Sequence, residues 1–253
     1  MNAGLLSISF RQLSSEAVVK LAASCGLTCI EWGADIHVPP GHGENARRVG
    51  RWCRDAGLRI CSYGSYYWLD SESDIAGFEP ILHTALDLGA PNIRVWAGWM
   101  HADHPLQWER AVANAWKIAD LAARHDVTIS YEKHSGTLTE NTASCARLLA
   151  ETDHPGISTL WQPVPQSDIS ESLDSLQTLL PRIHHLHVFY WTTSRRPLEE
   201  GASFWLPHLA LLRTKREEID LLLEFVPDDD PSILAREAET LLNWISSPEE
   251  GAT

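Results

Sequence analysis

Three short stretches of the chain share one pattern and decide its fold: SCGLTCIEW (residues 24–32), DAGLRICSY (residues 55–63) and DLGAPNIRVW (residues 87–96). Each stretch begins where an amphipathic helical pattern ends, passes through a glycine, and continues into aliphatic or β-branched residues. Glycine tolerates the left-handed backbone that often terminates a helix, so Gly26, Gly57 and Gly89 mark helix ends that lead into strands. The pattern predicts strands that alternate with helices.

The same helix–strand pattern recurs before and after these stretches along the chain. The predicted strands are Leu5–Phe10, Leu27–Trp32, Leu58–Tyr63, Asn92–Ala97, Val127–Lys133, Ile157–Gln162, Ile183–Tyr190 and Ile219–Val226. Helical patterns such as Trp108–Arg124 and Pro231–Trp244 separate them. Eight alternating units in 253 residues indicate a single α/β domain, residues 1–253, closed as a (β/α)8 TIM barrel. An open doubly wound sheet is the alternative, but the glycine-rich phosphate-binding motifs GxGxxG and GxxxxGK[ST] do not occur.

Composition narrows the classes of function. Twenty Lys and Arg stand against 34 Asp and Glu, a formal net charge of -14, which disfavours binding to nucleic acid. No apolar run reaches the roughly 18 residues that a membrane span needs, and no basic, apolar leader opens the chain, so we expect a cytoplasmic protein without a membrane partner. The five cysteines form no CxxC pair, which predicts reduced, mostly buried thiols and disfavours a disulfide framework or a thiolate zinc site. A homo-oligomer is compatible with the sequence.

Polar side chains stand at the ends of the last four predicted strands, where buried parallel strands are normally apolar. They are Glu132, Gln162, His187 and Glu224. The carboxyl ends of barrel strands meet at one face, so these side chains are expected to converge there. Their oxygen and nitrogen atoms suit a divalent cation such as Mn²⁺, Mg²⁺, Co²⁺ or Zn²⁺. The alternative is that the glutamates form salt bridges at the barrel mouth and that His187 is a hydrogen-bonded core histidine.

Five motifs in order along the chain carry a family resemblance: EWGADIHVP (31–39), RVWAG (94–98), YEKH (131–134), HLHV (185–188) and LEFV (223–226). In this order and spacing the chain resembles the xylose isomerase-like TIM barrels, which include sugar phosphate isomerases and epimerases, ketose 3-epimerases, inosose dehydratase and endonuclease IV. The resemblance implies that Glu132, Gln162, His187 and Glu224 bind a divalent metal. Gln162 replaces the Asp of the epimerase branch, which predicts weaker metal binding than an Asp at 162 would give.

Further residues are predicted to contact the substrate. His37 resembles a histidine at the rim of the family's site, and Arg195 and Arg196 lie near the position of a substrate-binding arginine. His134 projects from the same strand end as Glu132, and Trp96 is a candidate apolar wall for a sugar ring. The alternative for the two arginines is pairing with neighbouring glutamates, and for His37 it is an exposed loop position.

The resemblance implies a divalent-metal-dependent isomerase or epimerase of a small sugar, a sugar phosphate or a related polyhydroxy carbonyl compound. Glu132 and Glu224 would move protons next to the carbonyl through an enediolate. A lyase similar to inosose dehydratase on the same scaffold is one alternative, and a non-catalytic sugar-binding homologue is another. An enzyme similar to endonuclease IV is disfavoured, since that branch uses three zinc ions and the charge of -14 opposes DNA.

Overall fold

The computed structural model describes residues 1–70, 74–99, 104–215 and 218–247. Within these ranges eight parallel strands form a closed barrel, so the predicted fold class and closure are confirmed. The barrel strands are β1 (Asn2–Leu6), β2 (Cys29–Gly33), β3 (Arg59–Trp68), β4 (Asn92–Trp96), β5 (Thr128–Glu132), β6 (Ile157–Trp161), β7 (Ile183–Val188) and β10 (Asp220–Leu223), while β8 (Tyr190–Trp191) and β9 (Arg195–Arg196) form a separate antiparallel hairpin.

Helices cover the outside of the barrel and bury its outer face. They are α1 (Ser15–Ser24), α2 (Gly43–Asp55), α3 (Asp74–Leu88), α4 (Pro105–Ala123), α5 (Thr142–Glu151), α6 (Ile169–Leu179), α7 (Ala202–Lys215) and α8 (Leu234–Ser246). Ser14 caps α1, and Asn141 with Ser144 forms a capping box on α5. The side chains of Ser14 and Asn141 accept hydrogen bonds from backbone N–H groups in the first turn of each helix, which fixes where the helix begins. No helix in the described ranges has the length and apolar character needed to cross a bilayer.

Four predicted strands have boundaries that differ clearly from the structure. The third continues to Trp68 rather than ending at Tyr63. The first strand is Asn2–Leu6 rather than Leu5–Phe10, because the Asn2 N–H donates to the Ile219 carbonyl at 2.9 Å and the chain then turns into a 3-10 helix over Ser7–Phe10. The seventh ends at Val188, after which Tyr190–Trp191 pairs with Arg195–Arg196 outside the barrel. The eighth ends at Leu223, and Phe225 two residues later has a left-handed backbone with φ 51°.

The barrel interior is unusually polar. Asn92 on β4 donates to Thr128 Oγ1 at 2.9 Å and to Ser130 Oγ at 2.8 Å, and its carbonyl oxygen accepts from Ser62 Oγ at 3.0 Å. Barrel interiors are more often filled by branched apolar residues, whereas here hydrogen bonds satisfy the buried polar groups. Side-chain hydrogen bonds therefore link β3, β4 and β5 inside the barrel. They lie beneath the face where the predicted site residues gather.

Candidate active site

The predicted metal ligands lie buried at the carboxyl ends of β5, β6, β7 and β10 and form two contacting pairs. Gln162 Nε2 lies 3.5 Å from Glu132 Oε1, and His187 Nδ1 lies 3.3 Å from Glu224 Oε2. Gln162 Nε2 also donates to the Lys133 carbonyl at 3.2 Å, which turns the amide oxygen of Gln162 away from that carbonyl. The strand ends thus bring the predicted donors together at one face of the barrel.

Glu31 on β2 and Arg94 on β4 are site residues that the sequence analysis did not assign. Arg94 Nε donates to Glu31 Oε1 at 2.7 Å, and its Nη1 forms a second ion pair with Glu132. Glu31 is fully buried and Arg94 is 2% exposed. Because a charge buried this deeply is stable only when paired, Arg94 fixes both carboxylates in place.

Glu31 also supports the histidines of β7. Its Oε2 lies 2.7 Å from His185 Nε2 and 3.5 Å from His187 Nε2. The ligand atoms of Glu31, His185 and His187 lie within 4.8 Å of one another, as in a metal site, but both oxygens of Glu31 already contact nitrogen atoms. We therefore interpret Glu31 as the acceptor that orients the His187 ring from behind, an arrangement typical of metal-binding histidines.

The buried charges shift the pKa values of this network. Burial alone would raise the pKa of Glu31, but the Arg94 guanidinium and the two imidazoles hold it well below its usual range. Burial alone would lower the pKa of His187, yet Glu224 and Glu31 raise it to about 10. In the metal-free protein His187 therefore carries a proton at neutral pH.

The donor set fits a divalent cation. Among the described residues, Gln162 Oε1 is a buried atom without a hydrogen-bond partner, although buried polar atoms are nearly always satisfied, and His187 Nδ1 and Glu224 Oε2 face each other at 3.3 Å without a well-formed hydrogen bond. Three carboxylates, those of Glu31, Glu132 and Glu224, lie among two positive groups, the Arg94 guanidinium and the protonated His187 imidazole. A divalent ion that displaces the His187 proton would neutralise the negative charge that is left. Glu132, Gln162, His187 and Glu224 are the side chains that could hold such an ion.

Aromatic rings line the mouth beside these donors. The Trp96 ring lies 4.5 Å from the His134 ring and 4.9 Å from the Trp68 ring, centroid to centroid. His134 Nδ1 lies 2.7 Å from the Ser135 carbonyl oxygen, which can only accept, so in the neutral ring Nε2 carries the free lone pair. The predicted substrate contacts Trp96 and His134 therefore lie together at the mouth.

The other predicted substrate contacts are engaged elsewhere. His37 is buried, not exposed, and its ring nitrogens contact Ser7 Oγ at 3.1 Å and the Leu13 carbonyl at 3.2 Å, so it is a structural histidine whose pKa is lowered by burial. Arg196 forms a surface ion pair with Glu200 at 2.8 Å, which is the alternative anticipated from the sequence.

Arg195 has a different partner from the one anticipated. It pairs with Asp229 at 2.5 Å, and its guanidinium lies 5.0 Å from the centre of the Phe225 ring. Phe225 directly follows Glu224, so Arg195 braces the turn behind that glutamate rather than pairing with the glutamates that follow it in the sequence.

A signal for Glu31 and Arg94 was present in the sequence. Glu31 lies within the strand CIEWG and Arg94 within NIRVW, both otherwise nearly apolar. The rule that a charged residue in a buried parallel strand needs a partner or a function applies to these strands as well as to the last four. Applied to all eight strands, it would have identified both residues.

Gly64 on β3 makes room for the ion pair, and its substitution tests the network. A Cβ at residue 64 would lie 2.6 Å from Glu31 Oε1 and would also clash with the Arg94 guanidinium. We expect Gly64→Ala to displace both side chains and to weaken Mn²⁺ binding, measured by calorimetry, at least tenfold. The control is Gly57→Ala, which has a left-handed backbone (φ 72°) but open space around it, so it should lose stability and keep its metal affinity. Equal affinities in the two variants would contradict this account.

Metal binding is expected to strengthen as pH rises. Because the pKa of His187 is about 10 without metal, an ion that binds its Nδ1 must expel a proton throughout the neutral range. The apparent Mn²⁺ affinity should rise about tenfold per pH unit from pH 6 to 9. Calorimetry in buffers of different ionisation enthalpy should count about one proton released per ion, and the absence of proton release would remove His187 from the ligand set.

Comparison with known proteins identifies enzymes that are similar to this chain. A 3-dehydroshikimate dehydratase from Bacillus anthracis is 29% identical over 203 residues, which are 74% of this chain and 71% of that protein. The crystal structure of a probable 3-DHS dehydratase from the same organism has a TM-score of 0.77 at 24% identity and covers 96% of this chain and 99% of its own. A 3-keto-D-glucoside 4-epimerase from E. coli has a TM-score of 0.74 at 14% identity, with 96% and 99% covered.

These relatives are enzymes, and they include both a dehydratase and an epimerase on one scaffold. The two structural likenesses support the barrel fold. The family model for the xylose isomerase-like TIM barrel matches residues 19–247, nearly the whole barrel. The chain therefore belongs to the xylose isomerase-like TIM barrel family.

Proposed function

We propose that this protein is a divalent-metal-dependent dehydratase, a lyase that removes water from a cyclic polyhydroxy ketone. The observation that carries this proposal is the unequal state of the acid/base groups at the mouth. Glu132 is held in an ion pair by Arg94, whereas His134 presents a free ring nitrogen beside the aromatic rings. The similarity to a 3-dehydroshikimate dehydratase supports the same reaction class.

The metal ligands would be Glu132, Gln162, His187 and Glu224. A bound divalent cation would polarise the ketone oxygen of the substrate and stabilise the negative charge that develops there. Arg94 holds the Glu132 side chain in place through an ion pair, and Glu31 holds the His187 ring from behind. The rings of Trp96 and Trp68 offer an apolar face against which a six-membered ring can pack.

His134 is the base in this proposal. Its Nε2 takes the proton from the carbon next to the ketone, and the electron pair of the broken C–H bond forms an enolate. The C–O bond of the hydroxyl one carbon further along then breaks while a C=C bond forms. His134 returns its proton to the departing hydroxyl, which leaves as water, so the reaction balances without an added reactant.

An epimerase needs proton donors and acceptors on both faces of the substrate carbon, for which Glu132 and Glu224 are the candidates. Protonation of Glu132 would leave the buried guanidinium of Arg94 without one of its two partners, which is costly in a site that is 2% exposed. This asymmetry favours elimination over inversion. The isomerase or epimerase reaction remains the second candidate because an epimerase shares the fold.

A substrate panel tests the reaction class. The full chain is loaded with Mn²⁺, Mg²⁺ or Co²⁺ and incubated with 3-dehydroshikimate, an inosose, D-fructose and D-psicose. We expect a cyclic ketone to lose one water. Mass spectrometry would detect this loss, and for 3-dehydroshikimate the ultraviolet absorption of the aromatic product would also report it. Interconversion of ketoses without loss of water would establish the isomerase alternative, and binding without turnover would indicate a sugar-binding homologue.

Substitution of His134 tests whether this residue acts as the base without binding the metal. We expect His134→Ala to lower kcat at least about 100-fold, the usual contribution of a general base, without a change in Mn²⁺ affinity. Glu132→Gln should instead lose metal. The matched control is His125→Ala, since His125 is exposed at the end of α4. Near-normal turnover by His134→Ala would transfer the role of base to Glu132 or Glu224.

Gln162 is expected to bind metal through its amide oxygen, which has no other partner. Gln162→Glu keeps the length of the side chain and adds a negative charge, so Mn²⁺ should bind more tightly than to the natural protein. Gln162→Met keeps the volume but removes both polar atoms, so Mn²⁺ should bind more weakly. If calorimetry gives one affinity for all three proteins, Gln162 is not a ligand.

A further inference from the structure

A second cluster of metal-binding side chains lies at the opposite, amino-terminal end of the barrel. Cys29 opens β2, Asp220 opens β10, and Cys61 lies near the start of β3. The two sulfurs and a carboxylate oxygen lie within 4.8 Å of one another, and all three residues are buried. The absence of a CxxC pair disfavours a thiolate site when only the sequence is considered, but the barrel brings together two cysteines that are 32 positions apart.

Two features of the backbone create this cluster. The register between β2 and β3 shifts after the pair Ile30 and Ile60, so that Glu31 pairs with Ser62 and Cys61 has no residue opposite. Such a bulge redirects a side chain that regular pleating would place elsewhere. On β1, a Cβ at Gly4 would lie 2.5 Å from the Cys29 sulfur, so the glycine leaves the space that this sulfur occupies.

The cluster borders a cavity of about 740 Å³ at this end of the barrel, which Cys61 and Asp220 line together with Arg59 and His184. Asp220 is 8% exposed and Cys61 is 0% exposed, so an ion that enters the cavity would meet the carboxylate first, and small side-chain movements would be needed to reach the two sulfurs.

The charges around the cluster also suit a cation that binds thiolates. Asp220 accepts two bonds from the Arg59 guanidinium and one from Asn2 Nδ2 at 2.9 Å, so its charge is balanced. The Arg59 side chain is 51% exposed, so it can release one Asp220 oxygen to an ion, whereas the buried Arg94 cannot release Glu31 in this way. Burial, the main cause, and the neighbouring Cys29 raise the pKa of the Cys61 thiol, which keeps it protonated until a cation replaces the proton. A divalent ion bound to two thiolates is neutral, and this neutrality is favourable in a buried site.

We propose that Cys29, Cys61 and Asp220 form a second metal site, which binds a thiophilic divalent cation such as Zn²⁺. Tetrahedral coordination with Zn–S bonds of about 2.3 Å requires the two sulfurs to lie roughly 3.8 Å apart, and the ligand atoms of the cluster already lie within 4.8 Å of one another. A water molecule would supply the fourth ligand. The ion would link β2, β3 and β10 and so resist opening of the barrel.

This site differs in ligand chemistry from the one at the mouth, and it does not depend on the proposed dehydratase reaction. The mouth offers oxygen and nitrogen atoms, which suit Mg²⁺ and Mn²⁺, whereas two thiolates favour soft cations. A probe that reports only sulfur ligation therefore distinguishes the two sites within one protein. Cd²⁺ is such a probe, since a Cd–thiolate bond gives an ultraviolet charge-transfer absorption that oxygen and nitrogen ligands do not give.

The experiment titrates Cd²⁺ into the full chain, kept reduced by a phosphine and saturated with Mn²⁺ at the mouth. We expect the thiolate absorption to saturate at about one Cd²⁺ per chain and the melting temperature to rise. Cys29→Ser and Cys61→Ser should each lose most of the absorption. Cys145→Ser is the matched control, because Cys145 is also buried but its sulfur contacts Thr159 Oγ1 on β6. No absorption in the natural protein, or absorption that persists in the Cys29→Ser, Cys61→Ser double variant, would overturn the proposal.

A measurement on the unsubstituted chain covers the case in which the serine variants fail to fold. Alkylation by N-ethylmaleimide, followed by mass spectrometry of peptides, gives a rate for each thiol. Cd²⁺ should slow alkylation of Cys29 and Cys61 at least tenfold and leave Cys25, which is only partly buried, unchanged. Equal rates with and without Cd²⁺ at Cys29 and Cys61 would also overturn the proposal.

Discussion

The two ion pairs of Arg94 are the constraint on which the rest of the structure depends. A guanidinium that is 2% exposed must keep its partners, because removal of one member of a buried pair costs about 3–5 kcal/mol. Glu31 on β2 and Glu132 on β5 therefore cannot move independently of β4. The absence of a side chain at Gly64 follows from the same requirement, since β3 passes directly between β2 and β4 and its side chains would fill the space of the ion pair.

This constraint divides the polar interior into two layers. The fixed layer is Glu31 with Arg94, and the open layer is Gln162, His187 and Glu224. Glu31 uses one oxygen for Arg94 and the other for the histidines of β7, so nothing of it is left for a ligand. Above it, Gln162 Oε1 has no hydrogen-bond partner, and His187 Nδ1 and Glu224 Oε2 face each other at 3.3 Å. The fixed layer orients the side chains of the open layer before any ligand binds. In the open layer, the His187 proton is the one that a metal ion would replace.

The number and order of the barrel strands could be predicted from the sequence because they follow from local periodicity, whereas several strand ends could not. Each of the eight helix–strand units, and each polar residue at the last four strand ends, is visible within a short window of the chain. The pairing of Glu31 with Arg94 joins residues 63 positions apart, and that of Arg195 with Asp229 joins a hairpin to the turn after β10, so no local pattern encodes them. The first strand was displaced because the polar Ser7 and Ser9 alternate with apolar residues as a strand would, although they lie in a 3-10 helix.

The charge balance of the site bears on the kind of chemistry it favours. An anion that forms on the substrate is stabilised by nearby positive charge and destabilised by each additional carboxylate. Here Arg94 offsets one carboxylate, and Gln162 would supply a neutral oxygen where an Asp would supply a charged one. A divalent ion among these ligands would thus retain more of its charge for the substrate than it would beside a third acidic ligand, at the expense of its own affinity. Weak metal binding and strong stabilisation of an enolate would therefore be two consequences of the same neutral side chain.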